Sequence, residues 1–341
     1  MRAALNFTLA FLAFLPLLAA QSTPPSRLAQ IQRRGHLVCG IEPAVPGFAE
    51  VDAKGRFHGF DVDICRALAA AILDAPDRVK YVQVLSVADF LKNADVDVVS
   101  RRLTWELRRE HPLGLLFGPV TFYDGQGFLV SRKLGAKTPR DLAAAQVCVA
   151  GGTVFEFNLG SYFAAHTGAP KKVLLESATD FKAIAAALTQ GRCSAYTADV
   201  SELGAVRTSL ARAGEFEILA DLISKEPLAP LVRQADPHFF SIVRWTIFAL
   251  INAEELGVTS QNADAMRNSA NVDVQRLLGV VPGNGSALGL DEAWAYHAIK
   301  AVGNYGELFE KNIGRDSPLG LSRGLNRLAG DGGLMYAPPL R

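Results

Sequence analysis

The apolar positions of this chain switch repeatedly between two periods. Residues 36–41 (HLVCGI) form a short apolar run that predicts a buried strand. In the next segment, GFDVDICRALAAAIL, Val62, Cys65, Leu68, Ala69, Ile72 and Leu73 recur at helical spacing, which predicts a helix with one buried face. Asp61 is expected to cap that helix, with Asp63 favoured by its positive end. A strand over 79–84, a short helix over 87–92 and a buried strand over 97–100 (DVVS) follow. This β-α-β-α-β order implies a parallel sheet with helices packed on it. A second unit with the same alternation starts near Asp124. It has strands over 128–130, 147–149, 172–175, 194–197 and 216–219, and helices over 138–144, 156–165, 181–190 and 201–213. Pro227 and Pro230 interrupt the pattern, and the remainder reads as mostly helical. Two αβ units and a helical return predict a two-lobed α/β chain, with one lobe from 27–122 and 223–341 and the other from 123–222. On parallel sheets, ligands bind beyond the carboxyl ends of the strands, so the chemistry is expected in the loops just after them.

The N-terminal residues add a destination. Arg2 is followed by the apolar stretch NFTLAFLAFLPLLAA and then by polar TPPS, the pattern of a secretory signal peptide over residues 1–20. The stretch is too short to span a bilayer comfortably. The 341 residues carry 35 basic and 34 acidic side chains, and removing the leader takes away only Arg2. A balanced charge without a basic block argues against nucleic acid as a partner. The four cysteines form an even set in an exported protein, which suggests disulfides. Pairing Cys39–Cys65 and Cys148–Cys193 puts one local bridge in each half; four buried thiols are the alternative. No C-x-x-C spacing supports zinc, and no metal or cofactor is implied. The six histidines are scattered, without an H-E-x-x-H, and no G-x-S-x-G elbow occurs, so nothing points to an enzyme.

Several passages carry a resemblance: GFDVDIC, PVTFYDGQGFLV, GRCSAYTAD, ISKEPLAPLVRQ, WTIFALINAEELG, KAVGNYGELFEKNIG and the ending MYAPPLR. In this order, over about residues 28–341, they resemble the family 3 solute-binding proteins, periplasmic receptors of bacterial ABC transporters for amino acids. The resemblance implies a type II periplasmic binding fold whose lobes close over a free amino acid, about a hinge near residues 121–125 and 222–225. It implies a monomer that meets an inner-membrane ABC permease. A zwitterion needs a guanidinium and donors for its carboxylate, and a carboxylate for its ammonium. By family position Arg109 takes the ligand carboxylate, assisted by Thr104 and by Thr153 at a helix N-terminus. Asp199 takes the ammonium. Glu42 falls where the family often carries an acid near the ligand side chain, and Phe48 matches an aromatic residue near the cleft.

Each assignment has a plainer alternative. Arg109 could pair with Glu106 or Glu110, Asp199 and Thr153 could serve as helix N-caps, and Phe48 could be a core residue. The chain also departs from the pattern of the general amino-acid receptors it resembles. After the DVVS strand, an amide and two hydroxyl positions have become Arg102, Leu103 and Glu106. After Gly151-Gly152-Thr153, two more hydroxyls are replaced by Val154 and Phe155. Arg102, Val154 and Phe155 are therefore expected to shape ligand choice, with Arg102 favouring an acidic group. A ligand sensor, a receptor for another small carboxylate and a dehydratase-like enzyme on the same fold are the competing readings.

Overall fold

The computed structural model describes residues 26–341 except 167, 169 and 177–179. The expected leader lies outside the described residues. Among those residues no helix is long and apolar enough to cross a membrane.

Two five-stranded sheets organise the chain. The first has the order Val79–Gln83, Leu37–Ile41, Val98–Val99, Leu231–Arg233, Leu115–Phe117. The second has the order Lys171–Leu175, Gln146–Ala150, Ala195–Asp199, Gln126–Ser131, Phe216–Ile218. In both, the first three strands pair in parallel and the fourth runs antiparallel to its neighbours. Between the sheets lies a two-stranded ribbon in which Phe122–Asp124 pairs antiparallel with Glu226–Leu228. Each ribbon strand runs on into the antiparallel strand of a different sheet, Phe122–Asp124 into Gln126–Ser131 and Glu226–Leu228 into Leu231–Arg233. The ribbon is thus wired into the middle of both lobes. Its two chains touch closely at Gly125, where a Cβ would lie 2.7 Å from the Ser224 carbonyl oxygen.

The helix Phe60–Leu73 is buried on nearly every side, between the first sheet and the helices Pro237–Glu255 and Trp294–Val302. Asp61 does not cap it. The cap position falls to Gly59, whose φ of 127° brings its backbone against the Phe48 loop; a Cβ there would lie 2.3 Å from the Phe48 carbonyl oxygen. Asp61 sits inside the first turn, freed for tertiary contacts. Asp63, in the same turn as expected, accepts from Lys311 and Asn312 at 2.9 Å each.

Other sequence expectations shift for local reasons. The helix expected over 201–213 ends at Thr208, and the 138–144 segment forms only the 3-10 turn Pro139–Leu142. Pro227 and Pro230 do not interrupt the structure: Pro227 lies within the short strand Glu226–Leu228, and Pro230 lies just before Leu231–Arg233. Pro227 lies in the ribbon, where its missing N–H is harmless because Glu226–Leu228 pairs with a single neighbouring strand. Both expected disulfides form: Cys39–Cys65 with Cα atoms 6.2 Å apart, and Cys148–Cys193 with Cα atoms 5.6 Å apart.

The last residues are not mainly helical. Residues 319–327, with a 3-10 turn at Gly324–Asn326, form a strap across the ribbon. Arg323 anchors it to the first lobe through both oxygens of Glu254, at 3.0 and 3.2 Å, and lies over the rings of Tyr305 and Phe309. Asn326 accepts from the Tyr123 N–H at 2.6 Å and donates to the Tyr123 carbonyl at 3.1 Å, completing the hydrogen bonding of a ribbon residue. From the second lobe, Arg207 donates to the Leu319 and Gly320 carbonyls.

Asn326 is buried, so removing its amide strands both polar groups of Tyr123. Asn326→Ala is expected to cost about 1–3 kcal/mol in urea unfolding. A Cys148→Ala/Cys193→Ala double variant is expected to lose about 2–4 kcal/mol through the freed chain of the unfolded state, measured the same way against the oxidised wild type.

Candidate functional site

The carboxyl ends of parallel strands from both sheets point into the seam between the lobes. From the first sheet come Glu42, just after Leu37–Ile41, and Ser100, Arg101 and Arg102, just after Val98–Val99. From the second come Thr153, after Gln146–Ala150, and Asp199 with Ser201 at the end of Ala195–Asp199. The ribbon contributes Asp124 and Glu226.

Arg102 reaches across the seam. Its guanidinium donates to the Ser201 hydroxyl at 3.4 Å, lies 3.8 Å from Glu42, and stands 5.7 Å above the Phe48 ring. Glu42 is bonded instead by Arg101, at 2.9 Å. Asp61 accepts from the Ser100 hydroxyl at 3.3 Å and from the backbone N–H of Arg102, so it holds the loop that carries the two arginines. Asp124 accepts from the backbone N–H groups of Gly125 at 2.9 Å and Ser201 at 3.4 Å. Glu202 accepts from the Tyr196 hydroxyl at 2.8 Å, and Glu226 from Thr104 at 2.8 Å and Ser224 at 3.0 Å. Beneath Arg102, a residual cavity of about 10 Å³ remains between Phe48, Asp61 and Thr121.

Asp199 occupies the cap position of the helix Val200–Thr208, but its side chain makes no capping hydrogen bond. Its Oδ1 is buried without a donor, as is Oδ2 of Asp124. Burial, and next the negative charge of Asp124, raises the Asp199 carboxyl well above the ordinary range. Burial likewise raises Asp124, pushes Asp61 up to about 6 against the pull of Arg102, and pushes Glu202 up to about 7 against the Tyr196 hydrogen bond. Acids rise together in this way when the positive charge near them falls short of what burial requires.

The remaining sequence candidates are spread around this centre. Arg109 lies in the one-turn helix Leu107–Glu110, where its Nε bonds Glu106 at 2.9 Å and Nη1 donates to the Thr104 carbonyl at 3.1 Å. Thr104 thereby links Arg109 to Glu226. Thr153 begins the helix Val154–Ala164 without capping it; its hydroxyl donates to the Ala150 carbonyl at 2.7 Å. Phe48 is a fully buried core residue, edge-on to Phe60 and Phe122, and its ring also floors Arg102. Val154 is exposed, and Phe155 packs into the second lobe's core. Asp61, Asp124, Ser201, Glu202 and Glu226 were not among the sequence candidates. Asp61 and Asp124 lie within the GFDVDIC and FYDGQGF passages, whose polar residue inside an apolar run was the available signal.

The model of bacterial extracellular solute-binding proteins, family 3, matches residues 37–314. The chain belongs to this family. It is 44% identical over 326 residues to the general L-amino acid-binding periplasmic protein AapJ of Rhizobium johnstonii, covering 94% of this chain and 95% of the relative. It is 43% identical over 329 residues to the glutamate/glutamine/aspartate/asparagine-binding protein BztA of Rhodobacter capsulatus, covering 95% and 96%. A periplasmic binding protein of Brucella ovis, solved with glutathione bound, superposes with a TM-score of 0.81 at 42% identity, covering 93% of this chain and 100% of that one. The match to the family model ends before the strap begins, so the strap lies outside the part of this solute-binding protein that the model describes.

A carboxyl whose pKa is higher in the folded than in the unfolded state holds extra protons when folded, so stability falls as pH rises between the two values. For Glu202 that window runs from its ordinary 4.5 to about 7. Glu202→Gln keeps an acceptor for Tyr196 and removes the titration. Across that window the wild type is expected to lose on the order of 2 kcal/mol more than the variant, read from denaturant unfolding in steps of pH.

Proposed function

We propose that this chain is the periplasmic substrate-binding protein of an amino-acid ABC transporter. In this reading it is exported through cleavage of the residue 1–20 leader and captures a free amino acid or close analogue. It then presents its closed form to an inner-membrane permease. The role is reversible binding without turnover. Lobes 27–122 with 223–341, and 123–222, part and close about residues 121–125 and 222–225. The ribbon and the Gly125–Ser224 contact support a hinge there, because both chain crossings run through them.

The observation that carries the reading is Asp199: a carboxylate at a strand end in the seam, spared from capping its helix, with one buried oxygen lacking a donor. A buried carboxylate in this condition takes a cation, and an ammonium supplies both charge and donors. Arg109 takes the α-carboxylate, exchanging Glu106 for it; that ion pair is half exposed and weakly held. The first turn of Val154–Ala164 adds backbone N–H groups for the same anion. The amino-acid receptors among the relatives support this class of ligand.

The test is thermal unfolding of ligand-stripped mature protein against the common L-amino acids and glutathione. A ligand at about a hundred times its Kd adds about 2.7 kcal/mol, a rise of several degrees for a chain this size. The reading expects such a rise for at least one of them, and its loss in Asp199→Asn. If none of these compounds raises the midpoint, or Asp199→Asn binds as wild type does, the reading is wrong.

A further inference from the structure

We propose that Arg102 selects the ligand by its side chain, giving preference to amino acids that end in a carboxylate. The inference rests on the amino-acid reading above and names the class within it.

The argument starts from hydrogen bonds that are not made. A guanidinium carries five N–H donors. Arg102 spends one of them, on Ser201 at a long 3.4 Å, and its buried Nε has no acceptor. Its side chain is only 18% exposed, so water replaces few of the missing partners. Asp124 and Asp199 feel its charge, yet each keeps a buried oxygen without any donor, and the other acids around it are committed elsewhere. Glu42 is bonded by Arg101 and stands 3.8 Å from Arg102, beyond hydrogen-bond reach. Asp61 holds the Ser100 hydroxyl and the Arg102 backbone, Glu202 holds Tyr196, and Glu226 holds Thr104 and Ser224. These acids screen the charge of Arg102 without filling its donor fork.

The two walls of the seam thus present opposite deficits. The second lobe and ribbon have buried oxygens without donors, on Asp199 and Asp124, and the first lobe has a guanidinium with one long hydrogen bond and a buried Nε without an acceptor. An α-ammonium answers the first deficit. With the α-carboxylate on Arg109, the second deficit falls to the ligand's side chain. A carboxylate fills it best, because it accepts two charge-assisted bonds from one guanidinium face. A carboxamide offers one neutral acceptor, an aliphatic side chain none, and an ammonium would add repulsion. Phe48 beneath Arg102 keeps the guanidinium from withdrawing into the first lobe.

The test is titration calorimetry of ligand-stripped mature protein with L-glutamate, L-aspartate, L-glutamine, L-leucine and L-lysine, for wild type, Arg102→Met and Arg102→Lys. Wild type is expected to bind glutamate or aspartate at least tenfold more tightly than leucine and lysine. Arg102→Met is expected to lose most of that ratio, with leucine affinity changed less than threefold, and Arg102→Lys to recover part of it. Preference of the wild type for leucine or lysine, or an unchanged acidic-to-leucine ratio in a folded Arg102→Met, overturns the role of Arg102 while leaving the amino-acid reading standing. Absence of binding for all five, with glutathione and the other amino acids also silent in the unfolding test, overturns both.

Discussion

Burying a charge costs several kcal/mol unless a partner is buried with it, and the seam between the two lobes is arranged around that cost. Asp124, Asp199, Glu202 and Asp61 all sit where water is largely excluded, and each has its carboxyl raised by burial. Local donors satisfy most of their oxygens. The oxygens left over, and the unmatched donors of Arg102, lie on facing walls. A closed seam of this kind is incomplete by itself. Its most stable partner is a small molecule that carries both signs of charge at a fixed spacing.

The scaffold makes this juxtaposition possible without rigidly enforcing it. Both sheets end their parallel strands at the same seam, so loops far apart in sequence meet there. The ribbon Phe122–Asp124 with Glu226–Leu228 continues into an internal strand of each sheet. A change in ribbon geometry is therefore passed to the core of both lobes and not to a surface loop. The strap over residues 319–327 is bonded to the first lobe by Arg323, to the ribbon by Asn326 and to the second lobe through Arg207. It thereby ties the two lobes and the ribbon together.

The substituted loop after Val98–Val99 acquires a physical meaning in this setting. Glu106 engages Arg109, and Arg102 projects into the seam. One guanidinium is thus paired with Glu106 while another stands between the lobes.

The sequence by itself determined most of the order of the elements and the two-lobed α/β class, and it favoured one pairing of the cysteines and the loops after the strands as the place to look for a ligand. Hydrophobic period, Gly and Pro punctuation and short-range spacing are local properties, and they survive in the bare chain. It also offered two roles for Asp199, helix cap or ligand acid, and two for Phe48, core or cleft. Only the tertiary structure shows that Asp199 makes no capping bond and that Phe48 is a core residue whose ring also lies under Arg102, because both facts depend on contacts that the bare chain does not record. The structure also moved Asp61 from helix cap to loop anchor, because Gly59 alone tolerates the close approach of the Phe48 loop. The strands around Pro227 and Pro230, and the strap, were invisible to periodicity. Their hydrogen bonds are made to residues about a hundred or two hundred positions away, and a pattern read along the chain carries no record of a partner that distant.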